Sequence, residues 1–266
     1  MATVFKTFLN DDMTTTRSLL HEAIPITGSI VYGTYVTPGG VETNIKRFAH
    51  GMFEAVYDYP YLSSSSNHVF DLTVGVSSDS AAYASPVTSF TAKKENIYNQ
   101  MAQVLVGHDI DGAILHFDED GDLIAAGDKY EDVFFMNFAR LLVKDEIKKG
   151  SFSLELGVGE LSGGAGEGEG GSGVCEDYLV IEDSGSADDY RVNSPAGEYG
   201  VLYVTEDSTA LPGTIEGHAS YDARCGLIFY QAGIVVLSSE IFRAFSPTTN
   251  LNGKISQGGS DVVLDL

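Results

Sequence analysis

Residues 117–122 read FDEDGD, a run of acids at alternating positions around a glycine. Its three aspartates are Asp118, Asp120 and Asp122. Alternating acids begin the EF-hand calcium loop, which also requires glycine at its sixth position and a bidentate glutamate at its twelfth. Counted from the first aspartate, those positions hold Leu123 and Lys129. Because the two most diagnostic residues are missing, we predict a turn, with a weak cation site at the three aspartates as the alternative.

The flanking residues favour the turn. An Asp-Gly pair between apolar residues is the strongest short-range signal of a hairpin. One such pair ends FDEDG, and a second lies within IDG at 110–112, just before AILHF. Residues 107–127 are therefore predicted to form strand, turn and strand, with their acidic side chains in water.

The histidines do not show the spacing of a metal site. They are His21, His50, His68, His108, His116 and His218. HEAIP at 21–25 begins like the HExxH motif of zinc proteases, but Pro25 stands where the second histidine is required. His108 and His116 lie near many carboxylates, yet their spacing matches no ligand pattern. We assign no metal ligand.

Nucleophile and cofactor motifs are also missing from the sequence. Ser172 lies in GGSGV, within a glycine-rich stretch that lacks the Gly-Lys-Ser/Thr ending of a phosphate-binding loop. Cys175 and Cys225 have no neighbouring histidine or lysine. They are either two buried thiols or one disulfide bridge. We assign no catalytic and no cofactor-binding residue, and we expect the protein not to be an enzyme.

Composition indicates a folded, β-rich chain. The 266 residues are 43% hydrophobic and include 30 glycines, 14 tyrosines and 14 phenylalanines. A chain of this length can bury a substantial core, and aromatic and β-branched runs between turn residues favour strands. We predict a mainly β fold with a few short helices (β-rich α+β), antiparallel sheets, and a small sandwich or barrel-like module near the C-terminus.

The formal net charge of −23 excludes two classes of partner. Residues 150–242 contain only Arg191 and Arg224 as basic side chains. Binding to a phosphate backbone requires a stripe of lysine and arginine, so nucleic acid is not expected as a partner. Anionic membrane surfaces are disfavoured for the same reason, and no apolar run reaches the length of a membrane helix. The protein is expected to be soluble.

The periodicity of apolar residues predicts the elements. Helices are predicted at 14–25 and 93–107, with a weaker helical turn at 47–57. Strand-like runs are SIVYGTYVT, HVFDLTVGVS, VFFMNFARLL, SFSLELGV, DYLVIED, GVLYVTE, CGLIFYQ and GIVVLSS. VFFMNFARLL fits a buried helix and a buried strand about equally well, and the alternating run SFSLELGV after it favours the strand. SFSLELGV is expected to pair with the aromatic run VFFMNFARLL that precedes it. FYQAGIVVL at 229–237 is either a tight hairpin or a single bulged strand.

A glycine-rich stretch suggests how the chain is divided. Residues 157–174 read GVGELSGGAGEGEGGSGV, a composition typical of a flexible coil. We predict a β-rich N-terminal domain at 1–157 with two or three short helices, a flexible linker or loop at 158–173, and an antiparallel β module at 174–266.

Five blocks carry a family resemblance. They are LLHEAIPITGSI, MFEAVYDYPYLSSSSNHVFDLTVG, NIYNQMAQVLVG, NFARLLVKDEIKKGSFSLELG and GLIFYQAGIVVLSSEIF. Through them the chain resembles virion structural proteins of contractile-tailed marine cyanophages, from about residue 14 to about residue 242. The resemblance transfers no functional residue, and it implies that longer relatives continue past this C-terminus.

The resemblance implies a noncatalytic subunit of a phage tail, in the baseplate or fibre-attachment region. Its expected partners are other virion tail proteins and copies of itself, with assembly in the host cytoplasm. VYDYPYL at 56–62 is either an interface stripe or an ordinary core loop. The alternative function is a host-surface binding module, resembling a fibre or adhesin, that binds calcium or a glycan weakly.

Overall fold

The computed structural model describes most of the chain between residues 35 and 262, and the following account concerns those residues. The described ranges are 35–37, 40–42, 44–59, 61–80, 83, 88–124, 126–139, 146–162, 174–183, 190–205, 223–241, 255–257 and 260–262. The fold there is mainly β with a single long helix, α1 (Ser89–Leu105). This confirms the predicted β-rich fold class. The helix predicted at 14–25 lies outside the described residues.

The strands are β1 (Tyr35–Thr37), β2 (Gly40–Glu42), β3 (Ile45–Arg47), β4 (Glu54–Tyr57), β5 (His68–Val76), β6 (Asp132–Phe138), β7 (Ser153–Ser162), β8 (Val174–Glu182), β9 (Arg191–Ser194), β10 (Gly197–Val204), β11 (Ala223–Phe229), β12 (Ile234–Ser238), β13 (Ile255–Gln257) and β14 (Ser260–Val262). β1 pairs with β2, and β13 pairs with β14, as two small hairpins. The other ten strands form one antiparallel sheet in the order β3-β4-β5-β6-β12-β11-β10-β8-β7, with β9 beside β10.

Alternation along the central strands sends side chains to two apolar clusters, one on each face of the sheet. We call them the inner core and the outer core. In β6, Phe134 and Met136 belong to the inner core, whereas Val133 and Phe135 belong to the outer core. β6 reads as an unbroken apolar run because both of its faces are buried. The same double burial holds in β11 and β12.

The sheet curls around the inner core. The rings of Phe138, at the end of β6, and Phe152, next to β7, lie 6.0 Å apart. Five strand spacings separate β6 from β7 in the sheet order, which would be about 24 Å in a flat sheet. Leu154 of β7 and Leu179 of β8 accordingly pack in the same cluster as Phe134. The inner core is thus enclosed by the sheet itself.

The outer core is covered by α1 and by the segment at 107–131 that follows it. Thr88 caps the helix: its hydroxyl accepts the N–H of Thr91, whose hydroxyl accepts the N–H of Thr88. This capping box begins the helix four residues before the predicted start. Gly75 of β5 allows the close approach of the helix, since a Cβ there would lie 3.1 Å from the Cα of Tyr98 and 2.6 Å from the ring of Phe135.

Most strand predictions are confirmed, including HVFDLTVGVS as β5, the VFFMNF part of VFFMNFARLL as β6 and the four runs that form β8, β10, β11 and β12. FYQAGIVVL forms a tight hairpin between β11 and β12, with Gly233 at a φ of 70° in its turn. Gly233 suits this turn because a positive φ is strained for residues with a Cβ. Of the predicted strand SIVYGTYVT, the described residues form β1.

Three local predictions are wrong. The helical turn at 47–57 is instead the end of β3, a turn and the strand β4. Residues 107–127 form turns closed by the single bridges His108↔Ile114 and Asp118↔Lys129 rather than strands. SFSLELGV, which forms most of β7, pairs with β8 and not with β6. β6 is already bonded on both edges, to β5 and to β12, so it has no free edge for β7.

The glycine-rich stretch joins two strands that pair with each other. Its first residues, 157–162, belong to β7, while residues 163–173 lie outside the described residues. Leu161 of β7 faces Cys175 of β8. Strands from the predicted N-terminal and C-terminal domains also meet where β6 pairs with β12. Strands from both predicted domains therefore belong to one sheet. Whether the two parts of the chain fold as separate domains stays a prediction.

A cut between β7 and β8 tests this sharing. We expect that replacing residues 165–170 with a protease site and cleaving it leaves the two fragments associated, because the β7–β8 and β6–β12 ladders hold them together. Size-exclusion chromatography under native conditions measures the association, with the uncut chain as reference and a cut, urea-treated sample as the separated control. Fragments that elute separately without urea would show two independent domains.

Candidate functional site

The FDEDGD turn is organised around a lysine side chain. Asp118 is buried, and its carboxylate forms an ion pair with the ammonium group of Lys129. Lys129 Nζ also donates to the backbone oxygens of Ile124, at 2.6 Å, and Ala126, at 2.7 Å. Lys129 occupies the twelfth position counted from Asp118, where a calcium loop has its glutamate. The positive charge at the centre of this loop is therefore supplied by the Lys129 side chain and not by a bound ion.

The rest of the turn is bound to the sheet. Arg224 of β11 pairs with the Asp120 carboxylate, and Arg191 of β9 donates to the Asp120 backbone oxygen. Tyr199 Oη donates to the Gly121 backbone oxygen at 2.8 Å, and Asn193 Nδ2 donates to that of the next residue at 3.0 Å. Arg191 and Arg224, the two arginines of the acidic stretch 150–242, thus both hold this turn.

These contacts decide between the two interpretations of the motif. The three aspartates do not converge on one point, since Asp118 faces Lys129, Asp120 faces Arg224, and Asp122 accepts the N–H of Ile124 at 3.1 Å. The motif is a turn without a shared cation position. The prediction that its acids lie in water is wrong for Asp118, which is buried because the neighbouring lysine neutralises it.

A different cluster brings together groups that can hold a metal ion. Asp79, His116 and Glu131 each offer one ligand atom, and these atoms lie within 4.8 Å of one another. His116 Nδ1 is 3.5 Å from Glu131 Oε2 and 4.0 Å from Asp79 Oδ2. The side chain of Asp79 is 72% exposed, whereas His116 and Glu131 are mostly covered. Among the described residues, no other group of three or more histidine, cysteine or acidic side chains lies close enough together to share a metal ion.

The fold places these three residues by a short network. β5 and β6 pair as far as Val76↔Asp132, so the turn after β5 lies beside the residue before β6. The N–H of Ser77 donates to the Glu131 backbone oxygen at 2.8 Å. Tyr98 Oη donates to the Tyr130 backbone oxygen at 2.8 Å. It also accepts the N–H of Phe117 at 3.3 Å.

Tyr98 therefore sets the spacing within the cluster. Its two bonds fix the residue after His116 and the residue before Glu131. Its ring also packs edge-on against the His116 imidazole, with centroids 5.4 Å apart. The carboxylate of Glu131 raises the pKa of His116. Burial alone would raise the pKa of Glu131, but His116 and Ser77 hold it below its ordinary value.

Sequence reasoning missed this cluster. His116 is one of the histidines noted for its acidic surroundings, but Asp79 and Glu131 carry no signal in the sequence. The cluster arises from the β5–β6 pairing and from Tyr98, which are tertiary features. No fixed ligand spacing along the chain could have indicated it.

The other candidate residues lie apart from this cluster. His68 Nε2 is 3.0 Å from Asp71 Oδ1 on β5, and His50 stacks on Phe48. His21, Ser172 and His218 lie outside the described residues. Cys225 is a free, fully buried thiol, and burial raises its pKa far above the ordinary value. Cys175 lies in β8.

The predicted tyrosine stripe lies at the connection between β4 and β5. Val56 is buried in the inner core, while Tyr57 and Tyr61 are half-buried with their ring centroids 6.3 Å apart. Tyr59 is 51% exposed and Leu62 is 67% exposed. The stripe therefore begins in the core and ends on the surface.

A comparison with protein-family models, curated proteins and solved structures finds no match to the chain. No helix among the described residues is long and apolar enough to span a membrane.

Proposed function

We propose that this chain is a noncatalytic structural subunit of a tailed phage particle, in the tail baseplate or fibre-attachment region, and that it acts through protein–protein contacts. The resemblance to virion structural proteins of contractile-tailed marine cyanophages supports the proposal. A large curled sheet with apolar clusters on both faces provides the stiff body that an assembly component requires.

The observation that carries the proposal is the apolar surface at the β4–β5 connection. Tyr59 and Leu62 are exposed there on a backbone that is held in place by hydrogen bonds. Asp58 accepts the Asn67 N–H at 2.6 Å and the Asn67 side-chain amide at 2.8 Å. Asn44 Nδ2 donates to the Asp58 backbone oxygen at 3.0 Å. An exposed aromatic on an ordered backbone binds a partner at a low entropic cost.

The host-surface alternative has less support. Its calcium site was expected at the FDEDGD turn, where Lys129 and Arg224 already neutralise two of the three aspartates. We therefore favour the assembly role over a calcium-dependent binding role.

The proposal is tested with particles assembled in the presence of a tagged chain. We expect the double variant Tyr59→Ser, Leu62→Ser to enter particles at least about tenfold less than the wild type, because truncating an anchor residue at an interface commonly costs about 2 kcal/mol or more. The matched control is Val104→Ser, Ile110→Ser, which also removes two exposed apolar side chains, but on α1 and the turn after it. Quantitative mass spectrometry of purified particles measures incorporation.

Both variants are expected to melt at the wild-type temperature, since the four side chains are exposed. Absence of the wild-type chain from purified particles would refute the assembly role. Normal incorporation of the Tyr59/Leu62 variant would instead exclude this surface as the contact.

A further inference from the structure

We propose that Asp79, His116 and Glu131 form a binding site for a divalent transition-metal ion of the zinc class. The site does not depend on the proposed function. It lies at the end of the sheet where β5 meets β6, beside the outer core. Its three ligands come from three distant stretches of the chain: the turn after β5, the segment that follows α1, and the residue before β6.

The spacing of the donor atoms suits a metal better than a direct hydrogen bond. Ligands about 2.0–2.1 Å from a tetrahedral zinc ion lie about 3.3 Å from one another. His116 Nδ1 and Glu131 Oε2 are 3.5 Å apart, close to that value. A direct charge-assisted hydrogen bond between the same groups would be shorter, at about 2.7–2.9 Å. The two groups face each other across a gap of the size a metal ion requires.

A second observation points to a ligand at the same place. Glu131 Oε2 is completely enclosed and makes no well-formed hydrogen bond with the described residues; its ion-pair contact is His116 Nδ1, 3.5 Å away. An enclosed carboxylate oxygen with only such a long contact is costly, and a bound cation would satisfy it. This oxygen is also the one that faces His116. The cluster is therefore more than a group of acids on a surface.

Asp79 completes the set from the solvent side. Its Oδ2 lies 4.0 Å from His116 Nδ1, and its exposed side chain can rotate inward by the small distance that coordination requires. Its backbone is fixed, because its N–H donates to Ser77 Oγ at 3.1 Å and Ser80 Oγ donates to Asp132 Oδ1 at 2.6 Å. Three protein ligands leave a fourth position for water.

The donor types select the class of ion. An imidazole nitrogen with two carboxylate oxygens suits zinc and similar transition-metal ions. Calcium and magnesium prefer sites made of oxygen ligands alone. A bound zinc ion would tie the turn after β5 to the residue before β6 and to the segment that covers the outer core. Its role would be to stabilise this end of the sheet.

The test uses the full chain, freed of metal with a chelator and then titrated with zinc chloride alone. We expect one zinc ion per chain by calorimetry. We also expect the melting temperature to rise by about 5–10 °C at a zinc concentration about 100 times the dissociation constant. His116→Gln and Glu131→Gln are each expected to weaken zinc binding by more than about tenfold. Cobalt in place of zinc is expected to give visible absorption bands that His116→Gln removes.

Two further variants keep the test decisive. Asp79→Asn changes only an exposed side chain, so it folds even if the buried variants do not, and it is expected to weaken zinc binding by the same criterion. His68→Gln is the matched control, because the His68–Asp71 pair offers only two atoms that could bind a metal ion, and these atoms lie at a hydrogen-bond distance of 3.0 Å. It is expected to bind zinc as the wild type does. Calcium chloride is expected to leave the melting temperature unchanged.

The proposal is overturned if zinc does not bind the wild type, if Asp79→Asn binds zinc as tightly as the wild type, or if calcium produces an equal rise in melting temperature. Loss of zinc binding in His68→Gln, with binding kept in His116→Gln, would move the site to β5 and would equally overturn it.

Discussion

Replacing Lys129 with methionine is expected to lower the free energy of unfolding by about 3–5 kcal/mol. The Lys129 side chain is 11% exposed and its ammonium group is the charge partner of the buried Asp118 carboxylate. Removing one member of a buried ion pair leaves the other charge without compensation, which is the costly case. Two backbone oxygens, those of Ile124 and Ala126, lose their donor as well. Urea-induced unfolding at neutral pH measures the change.

Two variants separate this effect from general loss of a lysine. Lys148→Met removes an exposed lysine and is expected to change stability by less than about 0.5 kcal/mol. The double variant Asp118→Asn, Lys129→Met removes the uncompensated charge and is expected to recover a large share of the loss. Asparagine can still accept the N–H of Asp120 that Asp118 Oδ1 accepts at 2.8 Å. A single Lys129→Met variant as stable as Lys148→Met would contradict the role of Lys129 as the cation that neutralises Asp118.

The same arrangement predicts how calcium acts on this turn. Calcium is expected to leave the stability of the wild type unchanged, because Lys129 already occupies the point where Asp118 and two backbone oxygens meet. The twelfth position, held by Lys129, is one of the two positions at which the sequence departs from a calcium loop. What the sequence could not show is that the deviant residue supplies the missing charge.

Local sequence patterns predicted the secondary structure correctly where a stretch's own residues determine its conformation. The strands β5, β11 and β12 follow from runs of apolar residues bounded by turn residues, whereas the sequence left open whether β11 and β12 form a hairpin or one bulged strand. The helix α1 follows from apolar residues at four-residue spacing, with its start predicted four residues too late and its end two residues too late. In each case the signal and the structure occupy the same residues.

Pairing was predicted poorly because it depends on residues far apart in the chain. The alternation in β7 predicts a strand with one buried face, but it does not specify the neighbour. Proximity in sequence favoured β6, whereas the curled sheet inserts β6 between β5 and β12. The His116 cluster depends on the same long-range arrangement, so it was out of reach for the same reason.

The pH dependence of the free energy of unfolding is expected to include a contribution from the Asp183 carboxyl group. Asp183 follows directly after β8, the residue is 1% exposed, and burial raises the pKa of its carboxyl group to about 6. Its oxygens accept the N–H of Gly150 at 2.8 Å and the hydroxyl of Tyr230 at 3.0 Å. These bonds favour the charged form but do not outweigh the loss of hydration.

The sign of the effect follows from proton linkage. Well below pH 3.8, the ordinary pKa of an aspartic acid, the carboxyl group of Asp183 is protonated in both the folded and the unfolded state, so it contributes no pH dependence. Between about pH 4 and pH 6 the folded state keeps the proton more strongly than the unfolded state does. Stability therefore falls as the pH rises through this window. A difference of about two pKa units corresponds to about 3 kcal/mol lost above pH 6.

Asp183→Asn is expected to remove this loss. Relative to the wild type, the variant should gain about 3 kcal/mol in unfolding free energy when the pH is raised from about 3 to about 7.5. The asparagine oxygen can accept the N–H of Gly150, and the Tyr230 hydroxyl can accept from the amide. Any fixed cost of that exchange is the same at both pH values and cancels in the comparison.

Asp111→Asn provides the matched control, because it removes one carboxylate from an exposed turn and changes the net charge equally. Its unfolding free energy is expected to follow the wild-type pH profile within about 0.5 kcal/mol. Urea unfolding at several pH values measures all three proteins. If the Asp183→Asn profile ran parallel to those of the wild type and Asp111→Asn, the Asp183 carboxyl group would have an ordinary pKa. The chain's large negative charge would then have to account for the whole pH dependence.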